Sequence, residues 1–336
     1  MKKIKALAFF LSIMLLCSAC GNPPPPPSTP TSGTCGENLT WQLDENHCVL
    51  TISGTGPMTD CIDDYAFRSA SRRAEKIIIE NGVTSIGNEA FVSSLVSEIV
   101  IPDSVTSIGY QAFANCTQLT DITLPDSITS LGAAVFENSG LTSVTIPRSM
   151  TKIGSYTFQG CGTLTKVTIP DSVTSIEDRA FQDCAALTEI TIPDSVTSIS
   201  WLAFENCESL VCITIPNSVT SLGDAAFRGC VSLNKVILPD GLKTIEGSLF
   251  ANCTALTEIT IPNSVVRIKK DAFSGCTGLT AITLSNTVKN IEENAFKECN
   301  NLKTINFYGT QAEWEALYVL SGWNVPRDAT VNYMGN

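Results

Sequence analysis

Cysteine is the residue whose type and spacing come nearest to chemistry in this chain. Eight cysteines recur at Cys116, Cys161, Cys184, Cys207, Cys230, Cys253, Cys276 and Cys299, and from Cys161 onward the interval is 23 residues. A metal centre needs thiolates that converge from short spacings such as Cys-x-x-Cys. A constant long interval instead places one thiol in each layer of a repeating structure, where cysteine acts as a small buried hydrophobe. Neighbouring layers fall within the Cα range a disulfide permits, which leaves oxidation open in an exported protein, but bridging would distort a regular stack, so most of these thiols are expected to stay reduced. Cys212 stands apart. It lies between Val211 and Ile213, where neighbouring copies carry Glu189, Lys235 and Glu258, and it reads as an exposed thiol on an outer strand surface. Cys35, Cys48 and Cys61 precede the regular copies, and Cys35–Cys48 and Cys48–Cys61 disulfides are both open.

No other residue set points to catalysis. The one histidine, His47, falls in a turn, and the chain has no Ser-His-Asp set, no His-Glu-x-x-His and no glycine-rich phosphate loop. Asp126, Asp171 and Asp194 recur after proline, once per copy, which is turn chemistry rather than a carboxylate pair. We expect no enzymatic activity, no cofactor and no metal. The formal charge of −12 repels phosphate backbones and argues against a nucleic-acid partner.

The elements that position these residues come from a repeat. Phenylalanines stand at 91, 113, 136, 158, 181, 204, 227, 250, 273 and 296, a period of 22 or 23 residues. Self-similarity at such a period means a solenoid or array. One copy cannot bury its own apolar face, whereas stacked copies share a continuous core. Leu187-x-x-Ile190-x-Ile192 alternates as a strand, Pro193-Asp194-Ser195 is a turn, and Val196–Ile199 is a second extended segment. The piece around Phe204 reads as a helical turn or irregular coil. Two copies, at Phe91 and Phe136, are one residue short and carry Ser94 and Ser139 near the cysteine place; Ser285 replaces a proline.

The flanks differ in kind. Lys2, Lys3 and Lys5 precede an apolar run over 6–16, as in an export signal, and the run is too short to span a membrane. Ser18-Ala19-Cys20 resembles a bacterial lipobox, with its usual leucine one place further back, at Leu16. Lipidation of Cys20 would anchor the chain. Five prolines, Pro23 to Pro27, read as a semi-rigid spacer. Residues 34–66 read as a β-hairpin cap, with strands at 39–43 and 48–52. After the last copy, Thr310 and Glu313 form a capping box for a helix whose Trp314 and Leu317, with Trp323, would cover the far end. A strand over 329–333 closes the chain. The expected organisation is a signal peptide (1–19), an anchor and linker (20–33), an N-terminal cap (34–66), a solenoid (67–307) and a C-terminal cap (308–336).

The pattern Phe-x-x-Cys-x-x-Leu-x-x-Ile-x-Ile-Pro-x-Ser-Val-x-x-Ile resembles the leucine-rich repeats of BspA-like bacterial surface proteins. The likeness covers residues 67–307, and the segment Thr34–Trp41 resembles that family's usual opening. It implies an α/β leucine-rich-repeat solenoid of about ten copies, with a parallel sheet on one face and caps at both ends. It also implies a non-catalytic, adhesin-like lipoprotein, exported and membrane-anchored at the bacterial surface, that attaches to host, matrix or microbial proteins. Two other readings are a glycan-capture subunit of an uptake system and a structural envelope spacer. A glycan site would want exposed aromatics on the sheet, and only Trp201 and Tyr156 offer themselves, both outside the strands. The candidate face for an extracellular or host protein, or a glycan, is the outward strand surface: Lys166, Thr168, Glu189, Thr191, Cys212, Thr214, Lys235, Glu258 and Thr260. Membrane contact is expected through the lipid alone.

Overall fold

A computed structural model describes residues 30–60, 64–321, 324, 326 and 328–335. The leader, Cys20 and the proline run lie outside these, as do Cys61 and Trp323. Residues from Thr31 onward form one compact unit, a parallel-strand solenoid of about twelve turns.

Its core is a column of rings. Phe91 through Phe296 are all buried, and successive rings lie 5.2–5.8 Å apart and within 22° of parallel. Offset stacking of this kind adds roughly 0.5–1.5 kcal/mol per pair beyond the area each ring buries. Phe67 continues the column at 5.9 Å, and Trp41 closes it edge-on at 6.0 Å.

Each layer has three sides. On the first, segments such as Lys166–Thr168, Cys212–Thr214 and Glu258–Thr260 pair in parallel and in register with their neighbours. Proline follows and ends the strand because it lacks an N–H for the ladder. Its carbonyl then accepts a turn bond, as from Val219 N to Pro216 O at 3.0 Å. Where Ser285 stands in the proline's place, the strand runs on as Ala281–Ser285. The second side is a parallel ladder of its own, for example Ser175↔Ser198↔Ser221. Serines of the turn stitch the layers together: Ser195 and Ser218 donate to Val173 and Val196 carbonyls at 2.6 and 2.7 Å.

The third side, around phenylalanine, is a run of turns rather than a helix. Two residues of every layer, two before and two after the ring, take positive φ, such as Leu202 (56°) and Asn206 (55°). The alternation splits the N–H groups between two tasks. Those of Leu202, Phe204 and Asn206 bond the next layer, while those of Ala203, Glu205 and Cys207 bond back within their own. The donors from Leu202 to Cys207 are therefore satisfied without regular helix or strand.

The N-terminal cap is larger than the expected hairpin. Leu39–Asp44 and Val49–Gly54 pair antiparallel, and Ser32–Gly36 adds a third strand outside them. Val49–Gly54 then pairs parallel to Lys76–Ile79, so the cap sheet runs directly into the solenoid. A helix, Tyr65–Arg73, carries Phe67; Asp64 caps it by accepting from Phe67 N at 3.0 Å. This register excludes a Cys35–Cys48 disulfide. Cys35 lies beside the Leu39 end of the hairpin and Cys48 beside the Asp44 end. Five residue steps separate those ends, roughly 16 Å at about 3.3 Å each, against the 7 Å or less a disulfide tolerates. At the far end the capping box forms: Glu313 N bonds Thr310 Oγ1 at 3.3 Å and Thr310 N bonds Glu313 Oε2 at 2.8 Å. The helix Gln311–Ser321 buries Trp314 and Leu317, and Thr330–Tyr333 pairs with Thr304–Tyr308.

Candidate binding face

The cysteine column is settled by its partners. All eight thiols are buried, and each donates to the carbonyl of the phenylalanine one layer back, at 3.0–3.2 Å. Burial pushes Cys161 up to about 11 and Cys116, Cys230 and Cys299 up to about 12. Cys184, Cys207, Cys253 and Cys276 rise as well, chiefly through desolvation. Such thiols are poor nucleophiles and poor metal ligands. Ser94 and Ser139 are buried in the cysteine place; Ser94 Oγ donates to Ser71 O at 2.6 Å, and Ser139 Oγ lies 3.3 Å from Cys161 Sγ. His47 sits exposed on the hairpin turn, with Nδ1 2.6 Å from Asp44 Oδ2, and that contact lowers the Asp44 pKa. No cluster of three or more potential metal ligands occurs among the described residues.

The outward strand surface is where polar groups remain free. Buried Val167, Ile213 and Ile259 alternate with exposed strand neighbours, and the pleat delivers Lys166, Thr168, Cys212, Thr214, Lys235, Glu258 and Thr260 to one face. The strand expected over Leu187-x-x-Ile190-x-Ile192 does not form, but Glu189 and Thr191 keep the same exposed alternation around buried Ile190. Register brings Cys212 beside Lys235 and Thr260 beside Thr283. None of Lys166, Glu189, Lys235 and Glu258 makes an ion pair, although opposite charges occupy successive layers. The same column does pair elsewhere: Lys76 Nζ meets Glu98 Oε1 at 2.6 Å. Threonines show the same contrast. On the second side, Thr129, Thr174 and Thr197 hydroxyls donate to the preceding layer's carbonyls at 3.1–3.3 Å. Thr168, Thr191, Thr214 and Thr260 have no such bond.

Two grooves lie on this face. The larger, about 860 Å³, is lined by Lys235, Ile237, Glu258, Thr260, Ala281, Thr283 and Asn306 among others. Its form follows from the column. Long Lys235 and Glu258 give way to short Ala281, and Thr283 lines the same depression. The smaller, about 490 Å³, includes Thr145, Arg148, Thr168 and Asp171. Ile237, Arg148, Ala281 and Asn306 were not among the expected face residues. Ile237 was detectable in principle, because it breaks a lane of threonine from Thr123 to Thr283. The candidate aromatics are already engaged on another side of the layer. Arg179 Cζ lies 4.4 Å from the Trp201 ring centre and 5.5 Å from that of Tyr156.

Family comparison fits this architecture. The BspA-type leucine-rich repeat region matches over 57–165, 84–211, 151–280 and 198–316. The chain belongs to the BspA-type leucine-rich repeat family. Among solved structures, a leucine-rich repeat protein from Eubacterium ventriosum is 24% identical, covers 90% of this chain and 99% of its own, and superposes with a TM-score of 0.54. A leucine-rich cell surface protein from Faecalibacterium prausnitzii is 27% identical, covers 86% and 97%, and has a TM-score of 0.44. No match is found among curated proteins. The first of these similarities carries the fold. In this BspA-type chain, among the described residues, no helix is long and apolar enough to cross a membrane.

Proposed function

We propose that this BspA-type repeat protein is a non-catalytic, adhesin-like binding module. It is exported, held at the bacterial surface by lipid on Cys20, and presents its strand face to an extracellular or host protein. One contrast carries the reading. From Lys166 to Thr260 the charges and hydroxyls of the strand face have no protein partner, whereas nearer the N-terminus the same column pairs Lys76 with Glu98, and threonines of the second side bond the preceding layer. Extended solenoid sheets are surfaces on which such proteins bind partners. The glycan-capture reading is weaker, because the larger groove has no aromatic lining and Arg179 occupies Trp201 and Tyr156. The spacer reading gives no reason for free, alternating charges.

The compact unit Thr31–Asn336 can be screened against extracellular-matrix proteins and a glycan array. A protein hit lost on replacing Lys166, Glu189, Lys235 and Glu258 together with alanine supports the strand face. An unchanged hit moves the site elsewhere, and silence on both panels favours the spacer.

A further inference from the structure

The strand face is not uniform, and its heterogeneity says what kind of partner it fits. Most outward positions carry threonine or a charge. Around the larger groove the pattern changes: Ile237 is 46% exposed, and Cys212 is exposed on the neighbouring strand. Cys212 pairs with Lys235 and Thr214 with Ile237, so Cys212 and Ile237 are diagonal neighbours on one face. Diagonal side chains of adjacent strands lie about 7–8 Å apart, within reach of a single apolar group laid across them. Lys235 stands between them in register with Cys212, and Glu258 follows one layer on. Both charges are exposed, both border the groove, and neither has an ion-pair partner. An apolar centre with a polar rim is the anatomy of a protein-contact surface, and the two charges of opposite sign set what a partner must carry to complement it.

Resting on the strand-face reading, we infer that the site at Cys212, Lys235, Ile237 and Glu258 takes an extended polypeptide segment in which an apolar side chain is flanked within five residues by one carboxylate and one ammonium group. The apolar side chain covers Ile237, the carboxylate meets Lys235, and the ammonium meets Glu258. The segment continues over the depression at Ala281, where Thr283 offers a hydroxyl and Asn306, whose Oδ1 accepts from Asn332 Nδ2, offers its amide N–H groups to the segment's backbone. A neutral or uniformly charged segment would leave at least one of the two charges unanswered beneath it.

Cys212 reports occupancy directly. The full chain is treated with iodoacetamide, and alkylation at Cys212 is followed by mass spectrometry in the presence of three synthetic peptides. One carries Asp-Ser-Leu-Ser-Lys within a Ser/Gly surround; one replaces Asp and Lys with Asn and Gln; one replaces Leu with Ser. The first peptide is expected to slow alkylation at concentrations at least tenfold below either of the others. I237T, which restores the residue typical of the lane, should erase the preference for leucine. K235Q should erase the preference for aspartate. Equal protection by all three peptides, or protection by none, overturns the inference. If none protects while a protein partner still loses binding to the four-charge variant, the strand face stands as the site and only the linear segment is rejected.

Discussion

At the scale of single residues, the fate of a side chain here depends on which side of a layer it occupies. Eight cysteines and Cys212 share a chemistry but not an environment. Column thiols are buried, donate to phenylalanine carbonyls, and have pKa values raised to about 11 or 12 where the shift is smallest. Only the thiolate attacks alkylating reagents. At pH 8 the native protein should therefore be modified at Cys212, with partial reaction at half-buried Cys48, while the eight column positions stay unmodified until denaturant is added; peptide mapping by mass spectrometry reads this. Modification of Cys207 or Cys230 at a rate near that of Cys212 would contradict the packing. The outward placement of the expected face residues was legible because period-2 alternation fixes which side a residue takes. Ile237 and Arg179 were not. The lane containing Ile237 was recognised by its threonines, and the break in residue type that marks Ile237 does not by itself say that the side chain borders a groove. The rings around Arg179 come from layers above and below, at different offsets from their phenylalanines, and only three-dimensional stacking brings them together.

At the scale of elements, the two ladders were legible except over 187–192, where the expected strand does not form, and the turn side was legible only as a helical turn or irregular coil. Period-2 alternation and proline mark strands and their ends, but the run around phenylalanine has neither helical nor strand periodicity. A signal was present two residues after eight of the ten rings, where Asn115, Asn138, Gly160, Asp183, Asn206, Gly229, Asn252 and Gly275 cluster the residues that tolerate left-handed φ; Ser93 and Glu298 fill the other two places. The helix Tyr65–Arg73 went unread because its only strong cue is the Asp64 cap. Close approach makes one of these glycines testable. Gly229 has φ 73°, and a Cβ there would meet Asn206 Oδ1 at 2.2 Å. We expect Gly229→Ala to cost about 1–2 kcal/mol from backbone conformation, with a further contribution from that contact. Gly241, open on all sides, should tolerate alanine within about 0.5 kcal/mol. Combining Asn206→Gly, which removes the amide without straining its own positive φ, with Gly229→Ala should recover part of the loss in a urea titration; no recovery would mean the amide is not the obstacle. The same side holds a buried carboxylate. The Glu205 side chain is 3% exposed and is bonded by Gln182 and Arg228. Arg228→Ala should cost about 1–3 kcal/mol, because it strands a buried acceptor. Glu205→Gln combined with Arg228→Met should cost less than the single change, since no charge is then left unmatched.

At the scale of the whole molecule, stacking turns a local property into a collective one. A solenoid's stability is close to a sum of layer terms and nearest-neighbour interfaces. A pH effect repeated in eight layers must therefore add up. Each column thiol titrates higher in the folded chain than its ordinary value near 9, and desolvation is the first cause. Below about pH 9 both folded and unfolded chains hold these protons, so stability does not depend on them. Above it the unfolded chain releases protons that the folded chain keeps up to about 12, so stability falls as pH rises through that window. Each thiol contributes a slope of about 1.4 kcal/mol per pH unit, and eight acting together approach about 11 kcal/mol per unit. Urea titrations between pH 8 and 10.5 should show a steep alkaline collapse, with native stability vanishing over a fraction of a pH unit. Cys207→Ala and Cys230→Ala lower stability at pH 8 through lost packing, yet each should flatten the alkaline slope by about 1.4 kcal/mol per unit, and the pair by about twice that. Cys212→Ser, which removes an exposed thiol, should leave the slope unchanged. Comparing slopes rather than absolute stabilities cancels the titration of lysine and tyrosine, which is common to all variants. Equal slopes for the wild type and the Cys207→Ala, Cys230→Ala pair would mean that the column ionises within the folded layers, and the description of it as a dry stack would then be wrong.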